Sequence, residues 1–365
     1  MTEAQPDKDQ SQLFNLMSSM DHEQVVFCND KETGLKAIIG IHNTVLGPAM
    51  GGTRMWNYAS EADAIKDVLR LSRGMTIKSA IAGLNIGGGK AVIIGDARKM
   101  KNEAIMRRFG KFVNSLNGKY WTAPDVNMGE SDMEFIRMET PFVTGIPQIM
   151  GGSGDPSEMT AFGVYMGMKA SAKKIYGSDS LEGKKIVVQG AGQVGSYLVE
   201  HLVKEKAKVS ITDIFEDKIE RITRKHKVEV IGSDDVYQVS MDIFSPCALG
   251  ACLNSETIPK LKCAIVAGAA NNQLGVEDVD AQMLQEHNIL YAPDFLINSG
   301  GITNVYYELL GNYHKERVIS QTEKIYQTTL DVFDHTDTHQ VTTHQSALQL
   351  ALDRIDSIGK IKLSY

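Results

Sequence analysis

Three side chains with chemical potential gather in the first third of the chain. Lys90 follows Gly87-Gly88-Gly89 in GLNIGGGKAVIIGD, Lys78 lies twelve residues upstream in MTIKSA, and Asp125 sits in TAPDV. A phosphate cradle of the form G-x-x-x-x-G-K-[ST] does not fit. Counting back from Gly89, the required glycine is Leu84, and the required hydroxyl after Lys90 is Ala91. A lysine used as a base fits better. Bare backbone before Lys90 and the apolar run AVIIG after it imply partial desolvation, which disfavours the ammonium form, and a nearby Lys78 adds to the effect. For isolated lysines, snorkelling to solvent would be the plainer reading. Asp125 reads equally well as a turn aspartate from its own segment. Pro124 biases Ala123 toward an extended backbone.

A second glycine motif carries a different chemistry. Gly190, Gly192 and Gly195, with Gln193 and Val194 between the last two, complete G-x-G-x-x-G. KKIVVQ before it has the character of a strand, SYLVEHLVKE after it that of a helix, and KVSITD that of the next strand, ending in Asp213. This is the dinucleotide-binding fingerprint. The first glycine permits the turn, the second admits the pyrophosphate, and the third lets helix and strand pack. The helix N-terminus then faces the phosphates. Asp213 is placed to accept from a ribose diol and to repel a 2′-phosphate, and Ile214 and Phe215 supply no arginine, so NAD is expected rather than NADP.

The elements that must position these groups follow from the pattern. QVVFC and GLKAIIGIH read as strands, GPAMGGTR as a glycine-rich loop, 60–73 as an amphipathic helix capped by Ser60, 91–95 as a buried strand and 102–116 as a second helix. A Gly- and Ser-rich break at 150–157 suggests a hinge, and alternating strands and helices follow it. The expected fold class is α/β in two domains: an N-terminal α/β substrate domain over residues 1–148 and a Rossmann-type domain over 149–334. A cleft is expected between them, and helices 335–365 are expected to pack back on the first. Residues 1–12 read as a disordered tail.

Composition narrows the class. Of the 365 residues 42% are apolar and 23% charged, with a net charge of −7, which excludes a general nucleic-acid binder. Four cysteines without a Cys-x-x-Cys pair argue against a zinc site or a disulfide framework. No metal is expected. His335 and His339 in DHTDTH lack the acidic residue of H-E-x-x-H and read as a solvated helix face. The polar start and the lack of an eighteen-residue apolar run point to a cytoplasmic protein that does not engage membranes.

Taken together, LGPAMGGTRMW, LSRGMTIKSAIAGLNIGGGKAVIIGD, SDSLEGKKIVVQGAGQVG, DIFSPCALGACLN, AGAANNQL and YAPDFLINSGGITNV resemble the glutamate/leucine/phenylalanine/valine dehydrogenases, most of all the leucine branch. The resemblance implies reversible NAD-dependent oxidative deamination of an L-amino acid to a 2-oxo acid and ammonium, in a homo-oligomer. It implies that Lys90 activates water, Lys78 holds the substrate carboxylate and Asp125 exchanges protons with the amino group. Gly51 and Gly52 would border the substrate, with Thr160 near the nicotinamide and Asn272 near the cofactor. Where glutamate-specific members carry a lysine and a serine, this chain has Met50 and Val305; with Ala123 and Ile302 they make an apolar pocket. A leucine or other branched-chain substrate is implied, with an aromatic one as the alternative and a non-catalytic sensor of NAD or amino acid as the alternative of another class. The leucine branch usually reads T-A-E-D-V-G where this chain has Thr122-Ala123-Pro124-Asp125-Val126-Asn127; the proline resembles glutamate-type members, and Asp125 is retained.

Overall fold

A computed structural model describes residues 12–248 and 250–362; the tail expected over 1–12 falls outside them except for Gln12. The chain divides into two compact units, Met1–Gly154 with Ile355–Tyr365, and Asp155–Arg354.

The first unit comprises α1 (Gln12–Ser19), β1 (Gln24–Asp30), β2 (Leu35–Asn43), β3 (Ala49–Trp56), α2 (Glu61–Ile81), β4 (Gly87–Ile94), α3 (Ala97–Met100), α4 (Glu103–Ser115), β5 (Tyr120–Pro124) and α5 (Glu130–Arg137). Its sheet runs β1-β2-β4-β3-β5. β1 and β4 are antiparallel to β2, while β3 runs parallel to both β4 and β5. Alternation along these strands sends one set of side chains into a core with α4 and α5, including Ile39, Ile41, Met55, Ile93, Phe109 and Ile136. The opposite set, with Ile38 and Val92, packs on Val68 and Leu69 of α2.

Two elements differ from the sequence reading. GPAMGGTR is not a loop: most of it is β3, in the interior of the sheet. Its glycines allow strands to approach closely, since a Cβ on Gly51 would lie 1.8 Å from the Gly89 carbonyl oxygen. The helix expected over 60–73 continues through Gly74 to Ile81, so Lys78 is helical. A Cβ on Gly74 would meet nothing within 4 Å, and the helix simply passes through it. Ser60 does cap it, its side chain accepting from the Asp63 N–H.

The second unit comprises α6 (Ser157–Tyr176), β6 (Lys185–Gln189), α7 (Gln193–Lys204), β7 (Lys208–Thr212), α8 (Glu216–Thr223), β8 (Glu229–Val230), β9 (Ile243–Pro246), β10 (Ile265–Val266), α9 (Glu277–Glu286), β11 (Leu290–Tyr291), α10 (Asp294–Ile297), α11 (Gly300–Leu309) and α12 (Lys315–His339). α13 (Thr343–Lys362) begins in this unit and ends in the first. The sheet order is β11-β10-β9-β6-β7-β8, and every adjacent pair is parallel. The chain thus starts at β6, builds to β7 on one side, then crosses to β9 on the other: a Rossmann-like switch point beside β6.

The observed division differs from the expected boundaries. It falls six residues after 148, and of residues 335–365 only Ile355–Tyr365 join the first unit. The start of α13 is held to α12 instead, with Thr336 Oγ1 donating to Ser346 Oγ at 2.7 Å and His335 Nδ1 3.1 Å from the same hydroxyl. No helix among the described residues is long and apolar enough to cross a membrane.

Candidate active site and dinucleotide turn

In the first unit, alternation places Met50, Gly52 and Arg54 of β3, Gly88 and Lys90 of β4, and Ala123 with Asp125 after it on the face toward α2. Gly52 pairs with Ala123 across β3 and β5, and Met50 pairs with Gly88 and with Trp121. Met50 and Ala123 are buried, so the face carries apolar side chains next to charged ones. Gly51 has the opposite parity; its carbonyl accepts the Tyr120 hydroxyl at 2.6 Å. Lys78 is half-buried on α2.

The glycine run before Lys90 now has a physical reason. A Cβ on Gly88 would stand 2.1 Å from Thr76 Oγ1 and 2.2 Å from the Thr76 nitrogen, so β4 lies directly against the backbone of α2. Gly52 is equally constrained: its Cβ would meet the Pro124 carbonyl oxygen at 2.7 Å and Asp125 Cβ at 2.9 Å. These close approaches bring Lys90 Nζ to 3.0 Å from Asp125 Oδ2, with the lysine buried.

Arg54 was not singled out from the sequence, and it joins the same carboxylate. Its Nε donates to Asp125 Oδ2 at 2.7 Å, and its Nη1 donates to Asp67 Oδ2 at 3.1 Å. Tyr58 donates its hydroxyl to that Asp67 oxygen at 2.7 Å. Both cations therefore engage Oδ2 of Asp125. Burial alone would raise the Asp125 carboxyl, but Lys90 and then Arg54 outweigh it and hold it at about 2. Lys90 is pushed below the usual lysine value, chiefly by burial; Asp125 opposes the shift and Arg54 adds to it. The result is an ionised acceptor beside a buried amine that gives up its proton more readily than a solvated lysine.

The second unit holds the glycine turn. Gly190 follows β6 with φ of 115°, and a Cβ there would meet the Cys247 backbone at 2.8 Å. A Cβ on Gly195 would lie 2.0 Å from the Gly190 carbonyl oxygen, so helix and strand need that glycine to pack. Gly192 caps α7, and a Cβ on it would meet nothing within 4 Å. That open space at the start of α7, whose first residues are Gln193 and Val194, suits a diphosphate. Asp213 lies just past β7, where Oδ2 accepts the Ala191 N–H at 2.7 Å and Oδ1 the Phe215 N–H at 3.0 Å. Each oxygen keeps a further lone pair for a ribose hydroxyl. An arginine is present after all: Arg221 Nη2 donates to the Ala191 carbonyl at 3.2 Å and to Ser196 Oγ at 3.4 Å. Its place on α8, eight residues beyond Asp213, hid it from a reading of adjacent residues.

Further residues collect at the carboxyl ends of β9 to β11. Thr160 Oγ1 donates to the Pro156 carbonyl at 3.0 Å, and a Cβ on Gly301 would meet it at 2.5 Å. Thr160 therefore sits at the start of α11, which carries the buried Ile302 and Val305. Asn272 is exposed, with φ of 52°, in the loop after β10. Nearby, Asn298 Nδ2 donates to the Ala269 carbonyl at 3.1 Å, while Asn298 Oδ1 and Ser299 Oγ are buried without a partner. Unsatisfied buried polar atoms at the ligand-binding edge of a doubly wound sheet fit the polar groups of a dinucleotide. Asn298 and Ser299 were not anticipated; SGG before an apolar helix was the available signal.

The fold is two-unit α/β with a Rossmann-like parallel sheet in the second unit, and comparison with known proteins supplies the family. Residues 22–142 match the model "Glu/Leu/Phe/Val dehydrogenase, dimerisation domain", and 151–215 with 210–360 match "Glutamate/Leucine/Phenylalanine/Valine dehydrogenase". The chain is 51% identical to the leucine dehydrogenase of Thermoactinomyces intermedius over 97% of this chain and 96% of that one. It is 48% identical to the phenylalanine dehydrogenase of Lysinibacillus sphaericus over 90% and 87%. The crystal structure of L-tryptophan dehydrogenase from Nostoc punctiforme superposes with a TM-score of 0.84 at 44% identity, covering 95% and 99%. The chain belongs to the glutamate/leucine/phenylalanine/valine dehydrogenase family of amino-acid dehydrogenases, and the match supports NAD-dependent amino-acid dehydrogenase activity at the level of the family.

Proposed function

We propose that the chain catalyses reversible oxidative deamination of an apolar L-amino acid, leucine and its branched-chain relatives first, to the 2-oxo acid and ammonium. The observation that carries this reading is the buried Lys90–Asp125 pair at 3.0 Å on a face shared with Met50 and Ala123. In this scheme Lys78 pairs with the substrate carboxylate and Asp125 takes a proton from the amino group. NAD, when bound at the glycine turn, would supply the two-electron oxidant for the loss of the Cα hydrogen as hydride. Lys90 removes a proton from the water that adds to the resulting imino acid, and Asp125 returns a proton as ammonia leaves. Met50, Gly52 and Ala123 of the first unit border the side chain, with Gly51 beside them in β3. None of these side chains is charged, so a distal carboxylate would lose its partner.

Gly190, Gly192, Gln193, Val194 and Gly195 would hold the pyrophosphate and Asp213 the ribose, with Thr160 near the nicotinamide and Asn272 near the cofactor. An aromatic substrate is the second reading. It is supported by the chain's similarity to a phenylalanine dehydrogenase at 48% identity and to an L-tryptophan dehydrogenase structure at 44%. A homo-oligomer is also proposed, supported by β1, an edge strand that leaves Phe27 exposed. Lys90→Ala tests the mechanism: turnover is expected to fall below detection while NAD still binds, and unchanged turnover would remove Lys90 from it.

A further inference from the structure

We propose that Arg54 is a positioning residue of the amino-acid site, forked between Asp125 and the helix that carries Lys78. The proposal rests on the function proposed above. Arg54 reaches Asp125 Oδ2 at 2.7 Å through Nε and Asp67 Oδ2 at 3.1 Å through Nη1. Asp67 and Lys78 are eleven residues apart on α2, about three turns, so they share a face of that helix. One guanidinium thus ties the end of β5 to the helix face bearing Lys78. By holding Oδ2 together with Lys90, it fixes the orientation of the Asp125 carboxylate for the substrate amine. Its planar fork does what an ammonium cannot, which is to satisfy two carboxylates at fixed angles.

The charged and titratable groups around it come from every packed element. Asp125 is faced by Lys90 from β4, Arg54 from β3 and Tyr120 from β5; Asp67 of α2 also receives Tyr58 and, at 3.6 Å, Arg70. Removing the Arg54 charge takes away a group that lowers Lys90 and leaves Asp67, which raises it. The loss of Arg54 therefore moves Lys90 upward, while loss of Asp67 would oppose that move.

The test compares Arg54→Gln, Arg54→Lys and the double variant Arg54→Gln/Asp67→Asn, which removes the carboxylate left without its guanidinium. Two readouts are needed: the pH profile of kcat/KM with L-leucine and NAD, and the pH dependence of Lys90 acylation by acetic anhydride, read by peptide mass spectrometry. For Arg54→Gln we expect kcat/KM to fall roughly 10- to 100-fold and the acidic limb to move to higher pH. Arg54→Lys should restore the limb but keep a raised KM for the amino acid. Acylation of Lys90 should shift to higher pH in both Gln variants, less in the double variant, where the smaller opposing effect of Asp67 is lost as well. A wild-type acylation profile in both would overturn the proposal. Because acylation does not need turnover, a wild-type protein inactive on every amino acid would sink the functional reading while this test still decides the role of Arg54.

Discussion

Gly88→Ala adds one methyl group where β4 lies against α2, and its cost can be worked from distances. The new Cβ would lie 2.1 Å from Thr76 Oγ1, 2.2 Å from the Thr76 nitrogen and 2.5 Å from the Ser72 carbonyl oxygen. Ordinary contact begins near 3.4 Å, so β4 and α2 must separate by about 1.2 Å (3.4 − 2.2). The Thr76 side chain cannot simply rotate away, because two of the three clashing atoms are backbone, and its hydroxyl also partners His42 Nδ1 at 2.7 Å. Overpacking of this kind costs about 1–3 kcal/mol. Lys90 lies two residues along the same strand, and a displacement of about 1 Å at a catalytic group costs on the order of 100-fold in rate. Urea unfolding and kcat/KM on L-leucine measure the two effects separately. Gly74→Ala is the control: it sits in the same helix region with nothing within 4 Å and no positive φ, and should gain up to about 1 kcal/mol with normal activity. A Gly88→Ala protein with the stability and activity of the unmodified chain would refute the close-approach reasoning.

The other expectations concern the pocket, the cofactor and pH. Met50→Lys places a cation on the buried apolar face, and should lower kcat/KM for leucine by roughly 10-fold or more while turnover of glutamate appears; steady-state assays with both substrates decide it. Asp213→Ser removes the carboxylate that opposes a 2′-phosphate while Arg221 stays in place, so the NAD-to-NADP preference in kcat/KM should fall roughly 10- to 100-fold, and an unchanged ratio would remove Asp213 from cofactor choice. Stability should fall in two acid windows. His42, depressed to about 4 mainly by burial, is neutral in the fold; its contribution is complete above about pH 6.5 and is lost as pH falls toward 4. Asp125, held at about 2, contributes fully above the ordinary carboxylate pKa of about 3.9 and loses that contribution as pH falls toward 2. Urea midpoints between pH 8 and pH 3 check this, and His42→Gln should flatten the upper window.

Much of this was legible because periodicity and glycine spacing report local geometry. Strand, turn, helix and terminal acid around Gly190 sit within one short segment, and the structure assembles them as that segment implies. The reading of GPAMGGTR as a loop failed for a physical reason: glycine usually marks a turn, but here it marks strands and a helix packed too closely for a Cβ. Such contact is tertiary and leaves no local trace. Arg54 went unseen for a related reason. Its partner Asp125 is 71 residues away in sequence and becomes its neighbour only through the pairing of β3 with β5. Arg221 likewise returns to the glycine turn from α8. Lys90 and Asp125 were proposed separately; their 3.0 Å contact needed the sheet order.

The most direct test of the central claim is NADH formation at alkaline pH with L-leucine, isoleucine, valine, phenylalanine, tryptophan and glutamate. The account predicts turnover of the aliphatic amino acids, highest with leucine, and little with glutamate. Absence of turnover on all six by a protein that still binds NAD would contradict it.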